Sequence, residues 1–394
     1  VLVEAGSKYE TKDINGLSHF LEHMCFKGTT KRPKPIDIAG ELDGLGAEYN
    51  AFTSQEFTSY FAKAKNEAFP KILEIIADLY LNPTFEAAEI EKEKGVIVEE
   101  INMYEDLPMR RVQEYLMELV YGDQPAGWGV AGDKEVIKKL KRDDFINYRS
   151  KHYLAQSTIL VVAGGFNQDK VLEQINSHFS GLQKNIKGLK PKVIETQEKP
   201  KELVKFKESD QTHLVMGFRA FDIFDERKYA LQVLTDILGG GMSSRLFQKV
   251  REELGAAYYV NASADLYSDH GLILMSAGVD HKQVETVIKS SLEEFARFKN
   301  EKVGAEELQR AKDHLIGRLF LSIETSDEIG YFYGGQEVMG LALETPQAAA
   351  EKINAVKAEE IQAVALSLFK NESLNLAIIG PFKDKKFSDI LKVV

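Results

Sequence analysis

The sequence predicts an α+β protein of two homologous domains, each a mostly antiparallel sheet packed against helices. Three observations lead there. The segment Leu45-Gly-Ala-Glu-Tyr49 returns 209 residues later as Leu254-Gly-Ala-Ala-Tyr258. Each copy is followed by the same succession, an alternating strand pattern and then a long apolar helical period. Between the copies, from about Gly181 to Lys205, runs a Lys-rich stretch with two Pro and no apolar period, which reads as a linker. A repeat of this length is two copies of one unit rather than a solenoid, whose repeats span roughly 20–50 residues. We therefore expect domains at 1–185 and 206–394, joined by 186–205.

Taken in order, Val1-Leu-Val-Glu-Ala-Gly6 reads as a strand, and Gly16 to Gly28 as a short, strongly apolar helix. Glu48 to Ser54 is a strand after a Gly turn, and Phe57 to Ala62 alternates as a second strand. Helical periods follow at Ala68–Tyr80 and at Glu86–Tyr104. The run Thr158 to Gly164 has the length and composition of a buried strand. In the second copy, Tyr229–Gly239 answers the short helix and Gly271–Ser276 the second strand. Gln283–Phe298 and a helix opening at Gly304 complete the repeat. The intervening Gly239-Gly-Gly-Met-Ser-Ser-Arg245 lacks the Gly-Lys-Ser/Thr ending of a phosphate loop and reads as a mobile turn.

Composition narrows the function classes. With 44% hydrophobic and 28% charged residues, the chain is neither collagen-like nor disordered, and each domain has material for a core. No run approaches 18 apolar residues, so no membrane span is expected. The 50 Lys and Arg against 61 Asp and Glu leave a formal charge of −11, whereas nucleic-acid binders show a basic excess. We expect no nucleic-acid partner, and a preference for basic peptides where the acids line a cleft. Cys25 is the single cysteine, which excludes an intrachain disulfide and a Cys-based zinc cluster. That fits a reducing compartment, and we expect a cytoplasmic protein.

The chemical signal is His19-Phe-Leu-Glu22-His23. Residues four apart on a helix share a face one turn apart, so both imidazoles can reach one metal ion. Glu22, beside His23, is placed to act as general base on a water at that metal. The order is the reverse of the commoner His-Glu-x-x-His arrangement. The flanking Phe20, Leu21, Met24 and Phe26 imply a buried helix, where two His and a Glu need partners. A third ligand is expected from the helix Glu86–Tyr104. Its stripe Glu93, Val96, Ile97, Glu100, Tyr104 is an apolar face carrying two acids, Glu93 and Glu100, either of which can point inward.

On these residues the sequence resembles the pitrilysin family of zinc metallopeptidases, which includes insulin-degrading enzyme and mitochondrial processing peptidase. The resemblance extends over essentially the whole chain, duplication included. It implies a zinc endopeptidase acting on peptides or unfolded and targeting segments inside a clam-shell chamber. Glu100, 77 residues after His23, takes the third-ligand role, with His19 and His23 completing the site for one Zn²⁺ per chain. Glu93 becomes a supporting carboxylate, and Glu22 the general base. The segment Asn50-Ala51-Phe-Thr resembles the family's substrate strand, which grips an extended peptide through its main chain. Arg251 and Tyr258 resemble the family's Arg/Tyr pair, with Tyr258 donating to the oxyanion and Arg251 orienting the peptide. The second copy carries no His in Tyr229–Gly239 and has Arg318 at the position of Glu100, so it cannot repeat the metal site. Short family members imply a homodimer. A heterodimer with an inactive partner and a non-catalytic structural subunit are the alternatives.

Overall fold

The computed structural model describes residues 1–393. The strands are β1 (Leu2–Val3), β2 (Glu48–Thr53), β3 (Thr58–Lys63), β4 (Thr158–Ile159), β5 (Lys201–Phe206), β6 (Thr212–Ala220), β7 (Ala257–Leu266), β8 (Gly271–Val279) and β9 (Leu374–Gly380). In the first half of the chain the helices are α1 (Leu17–Cys25), α2 (Pro35–Gly44), α3 (Phe69–Leu81), α4 (Ala87–Glu105), α5 (Pro108–Tyr121), α6 (Lys134–Ile137), α7 (Arg142–His152) and α8 (Gln168–Phe179). The second half adds α9 (Lys228–Gly239), α10 (Val284–Asn300), α11 (Ala305–Leu321), α12 (Ser326–Val338), α13 (Pro346–Ala355) and α14 (Ala358–Leu368).

Two compact units result, and each takes a helix from the other half of the chain. The first contains 1–103, 124–191 and 323–343; the second contains 104–123, 192–322 and 344–394. Of the exchanged pieces α5 is amphipathic and buries Val112, Leu116 and Val120, whereas α12 buries little beyond Gly334 and Val338. In the second unit α5 lies on the sheet, with Gln113 donating to Ser276 Oγ at 2.7 Å and Arg219 to the Val120 carbonyl at 2.8 Å. In the first unit α12 brings the Tyr331 ring to within 5.8 Å of Phe52 and 5.4 Å of Phe61, and pairs Asp327 with Lys63 at 2.6 Å. Sequence periodicity carries no information about such long-range exchange.

The sheet of the first unit is antiparallel throughout, in the order β2-β3-β1-β4. That of the second runs β5-β9-β6-β8-β7, antiparallel except for the β5–β9 pair. β5 occupies the end of the stretch read as linker. The duplication is visible in the backbone: Gly46 and Gly255 both adopt positive φ, +63° and +57°, just ahead of β2 and β7. A side chain there is strained, which explains why the Leu-Gly-Ala turn recurs. In each unit the strand that follows is an end strand of its sheet.

Two expectations are corrected. The strand at Thr158–Gly164 stops at Ile159, because its partner β1 offers only Leu2 and Val3 for pairing. Residue Gly239 belongs to a packed junction: a side chain there would meet the backbone of Ala262 in β7 at 2.4 Å.

Candidate metal centre

Helix α1 is nine residues long, too short to persist in isolation. Leu17, Phe20, Leu21 and Met24 fall on one side at helical spacing and are fully buried. Each such side chain contributes about 1.5–3 kcal/mol on leaving water. Phe20 meets Phe145 of α7 edge-on, with ring centres 4.9 Å apart. The opposite side of the same helix carries His19, Glu22 and His23, so burial of the apolar stripe fixes where the three polar groups point.

α4 supplies the acids. Its buried residues are Ile90, Glu93, Ile97 and Ile101, whereas Val96 is 51% exposed. The apolar face is thus rotated away from Val96, and the stripe read from the sequence holds only in part. Glu93 and Glu100, two turns apart, both reach His23 from that helix. Glu93 Oε1 lies 2.9 Å from His23 Nδ1, and Glu100 Oε2 lies 3.6 Å from His23 Nε2 and 3.7 Å from His19 Nε2. The two imidazoles sit with ring centres 4.7 Å apart at 73°.

Among the described residues His19, His23 and Glu100 form the one group of three or more such side chains whose donor atoms lie within 4.8 Å of one another. Zinc bonds of about 2.1 Å put tetrahedral ligands about 3.4 Å apart, close to the spacings seen. Two imidazole nitrogens and a carboxylate oxygen are a donor set zinc accepts. The Glu93 contact assigns the proton on His23 to Nδ1 and leaves Nε2 for a metal. Lys27 Nζ, 2.6 Å from the other Glu93 oxygen, adds charge balance. Burial opposes ionisation of Glu93, but His23 and Lys27 prevail and hold its carboxyl below the usual carboxylate range. The residues present fit a zinc ion.

Glu22 does not join that group. Its Oε2 accepts a 2.6 Å hydrogen bond from Thr53 Oγ1 at the end of β2. Burial pushes the Glu22 carboxyl up, the negative charge of Glu100 adding to the effect while Thr53 and His23 oppose it. Sequence reasoning missed Thr53, although it lies two residues after Ala51 and so shares that residue's place in the strand alternation.

Asn50 and Ala51 lie on β2, whose outer side has no neighbouring strand. Opposite Ala51 stands Tyr60, and both main-chain groups of Tyr60 engage Val1 on the β1 side. The Ala51–Tyr60 pair is therefore a non-hydrogen-bonded one, and the N–H and C=O of Ala51 face the open edge. There the N–H meets the Asn50 side-chain oxygen at 2.9 Å.

In the second unit Arg251 Nη1 donates to the Tyr258 carbonyl at 2.5 Å, and the guanidinium stands 5.6 Å from the Tyr258 ring centre. Tyr258 itself is 71% exposed. The counterpart of the α1–α4 contact is α9 against α11, where Asp236 Oδ1 lies 2.8 Å from His314 Nδ1. This is a polar contact of two groups.

Residues 1–134 match the model for "Insulinase (Peptidase family M16)", and residues 139–315 match "Peptidase M16 inactive domain". A Bacillus subtilis protein described as the uncharacterized zinc protease YmxG is 35% identical over 97% of this chain and 92% of its own length. An uncharacterized zinc protease of Rickettsia felis is 36% identical over 97% and 91%. Among solved structures, a protease from Helicobacter pylori superposes with a TM-score of 0.88 at 22% identity, covering 96% of this chain and 92% of that one. A peptidase M16 inactive domain from Pseudomonas fluorescens gives 0.89 at 20% identity, covering 98% and 93%. At such identity the likeness speaks for the fold. No helix among the described residues is long and apolar enough to cross a membrane.

Proposed function

This chain belongs to peptidase family M16, and from that premise we propose that it is a zinc-dependent endopeptidase in which Glu22 is the general base. The observation that carries the reading is the convergence of His19 Nε2, His23 Nε2 and Glu100 Oε2, with Glu22 one residue from His23. These three side chains would hold one ion per chain. The chemistry supplied by zinc, when bound, is Lewis acidity, which acidifies water and polarises the scissile carbonyl. Glu22 accepts the proton of the attacking water at its carboxylate and returns it to the departing amine nitrogen. The Thr53 hydroxyl holds one Glu22 oxygen and thereby orients the other. Glu93 keeps the His23 ring in place.

Substrate docks as an added strand on β2. The outward N–H and C=O of Ala51 bond to an extended peptide without reading its side chains, and the Asn50 amide turns from Ala51 to the substrate main chain. This supports a broad class, peptides or unfolded and targeting segments, with a bias to basic ones from the −11 charge. Ala51→Pro removes the outward donor and fills the docking edge, a position where a sheet tolerates Pro. We expect kcat/KM to fall about 10–100-fold, the worth of one to two lost hydrogen bonds, with zinc content unchanged. Steady-state cleavage of an unstructured peptide by a metal-loaded variant is the check.

The resemblance supports further roles for the second unit: Tyr258 donates to the developing oxyanion and Arg251 orients the peptide. It also supports a homodimer of clam-shell form in which each chain lends this pair to the other.

The direct test is zinc analysis of the purified protein together with digestion of an unstructured peptide mixture. One zinc per chain and internal cleavage that stops on chelation and returns with added zinc are expected. Absence of cleavage at one equivalent of bound zinc, or cleavage that persists after the metal is stripped, overturns the reading.

A further inference from the structure

Helix α1 begins without a cap of its own. Its N-cap residue is Gly16, at φ +95°, with no side chain to offer the first N–H groups. The first turn of a helix leaves four such donors without intrahelical acceptors, and this is where helices fray. His19 lies in that turn. A zinc ligand at the loosest part of a nine-residue helix needs an external anchor.

Glu10 is placed to be that anchor. Its Oε2 accepts from the Gly16 N–H and its Oε1 from the Ser18 N–H, both at 2.7 Å. Asn15 Nδ2 donates to Oε2 at 3.0 Å. Glu10 is 2% exposed, and the hydrogen bonds to its carboxylate come from Asn15, Gly16 and Ser18. Two of these donors are N–H groups at the start of the helix.

We propose that Glu10 is a positioning residue of the metal centre, its carboxylate serving as the cap that α1 lacks and so fixing His19 in register with His23. A negative charge at a helix N-terminus is favoured by the aligned peptide dipoles, and bonds from N–H to an ionised carboxylate are about twice as strong as neutral ones. The next residues hold the same geometry. Ser18 Oγ donates to Tyr148 Oη at 2.8 Å, and Tyr148 donates to the Gly6 carbonyl. Gly16 crosses so close to Ala131 and Gly132 that a side chain there would meet the Ala131 carbonyl at 2.7 Å. With the backbone pinned there on one side, the Glu10 carboxylate decides the orientation of the first turn. His19 follows Ser18 directly.

This inference rests on the zinc reading above, and its test separates the two. Zinc affinity is measured by chelator competition at pH 8, above the value of about 7 to which burial pushes the Glu10 carboxyl. The visible spectrum of the cobalt-substituted protein and the melting temperature of the metal-free protein are recorded alongside. Glu10→Gln keeps the shape and removes the charge. It should lower zinc affinity about 10–100-fold, the usual effect of losing a partner behind a ligand, and alter the cobalt bands. The metal-free melting temperature should fall by no more than about 5 °C. Ser18→Pro removes one of the two donors at a position in the first turn that accepts Pro, and should shift affinity in the same direction. Wild-type affinity and spectrum in folded Glu10→Gln overturn the proposal while leaving the zinc reading intact. Unfolding of both variants also overturns it, because Glu10 would then hold the whole unit rather than the helix end. A wild-type protein that binds no zinc instead defeats the reading on which it rests.

Discussion

Replacing Glu22 by Gln is expected to lower kcat by about 10²–10⁴-fold, the range for loss of a general base, while zinc remains at one per chain. Gln keeps the shape of the side chain and the Thr53 hydrogen bond at its carbonyl oxygen, but it cannot accept a proton from water. The separation of roles follows from the geometry. Glu22 is bonded to Thr53 on β2, whereas the clustered donor atoms belong to His19, His23 and Glu100. Metal content and turnover should therefore part company in this variant. Near-normal turnover in metal-loaded Glu22→Gln would mean that another group moves the proton. Loss of zinc would mean that Glu22 belongs to the ligand set. Metal analysis and single-turnover cleavage of the same preparation distinguish all three cases.

Helix α1 was legible because its information is local. Spacing of four puts His19 and His23 on one face, and the apolar partners on the other face follow from the same period. The acid that completes the cluster with the two histidines was only half legible. Periodicity brought Glu93 and Glu100 to one face of α4, and two turns of helix separate them. Choosing between them depends on how α4 crosses α1, which no single helix records. In the structure both acids engage His23, one at each ring nitrogen, so each has a place and the places differ. Val96 shows the same limit from the other side: it fits the stripe by spacing, yet the true face is Ile90, Glu93, Ile97 and Ile101. The exchange of α5 and α12 between the units lies further still from sequence: the amphipathic period of α5 says that it needs cover but not whose, and α12 has no such period to read. Glu10 is an acid in an unremarkable loop, and only the fold brings it beneath the first turn of α1.

At the other end of α1, the loop that follows is tied down by a buried charge cluster, and Arg32→Ala is expected to destabilise the protein by about 3–5 kcal/mol, the cost of breaking a buried ion pair. Arg32 is 4% exposed and bonds Asp78 at 2.8 Å, Glu41 at 2.9 Å and Glu74 at 2.5 Å. Thr29 joins the cluster through Asp78, and its own backbone and hydroxyl bond back to Arg32. Alanine leaves the Asp78 carboxylate buried without a cation, although Thr29 and Asn82 still donate to it. The same cluster sets an acid dependence. Burial opposes ionisation of Glu74, but Arg32, Lys31 and Lys71 pull its carboxyl down to about 2 from an ordinary 4.5. A group whose pKa is lower in the folded state stabilises that state above its unfolded pKa. The contribution is thus fully present above about pH 5 and is lost as the pH falls from there toward about 2. Urea unfolding of the metal-free protein at pH 7 and pH 3 should show wild type losing stability on acidification more steeply than Arg32→Ala, because the variant keeps only Lys31 and Lys71 to hold the Glu74 pKa down. Equal acid sensitivity would place the titrating groups elsewhere. Since the loop carrying Arg32 begins within a few residues of His23, the destabilised variant should also release zinc at lower urea than wild type.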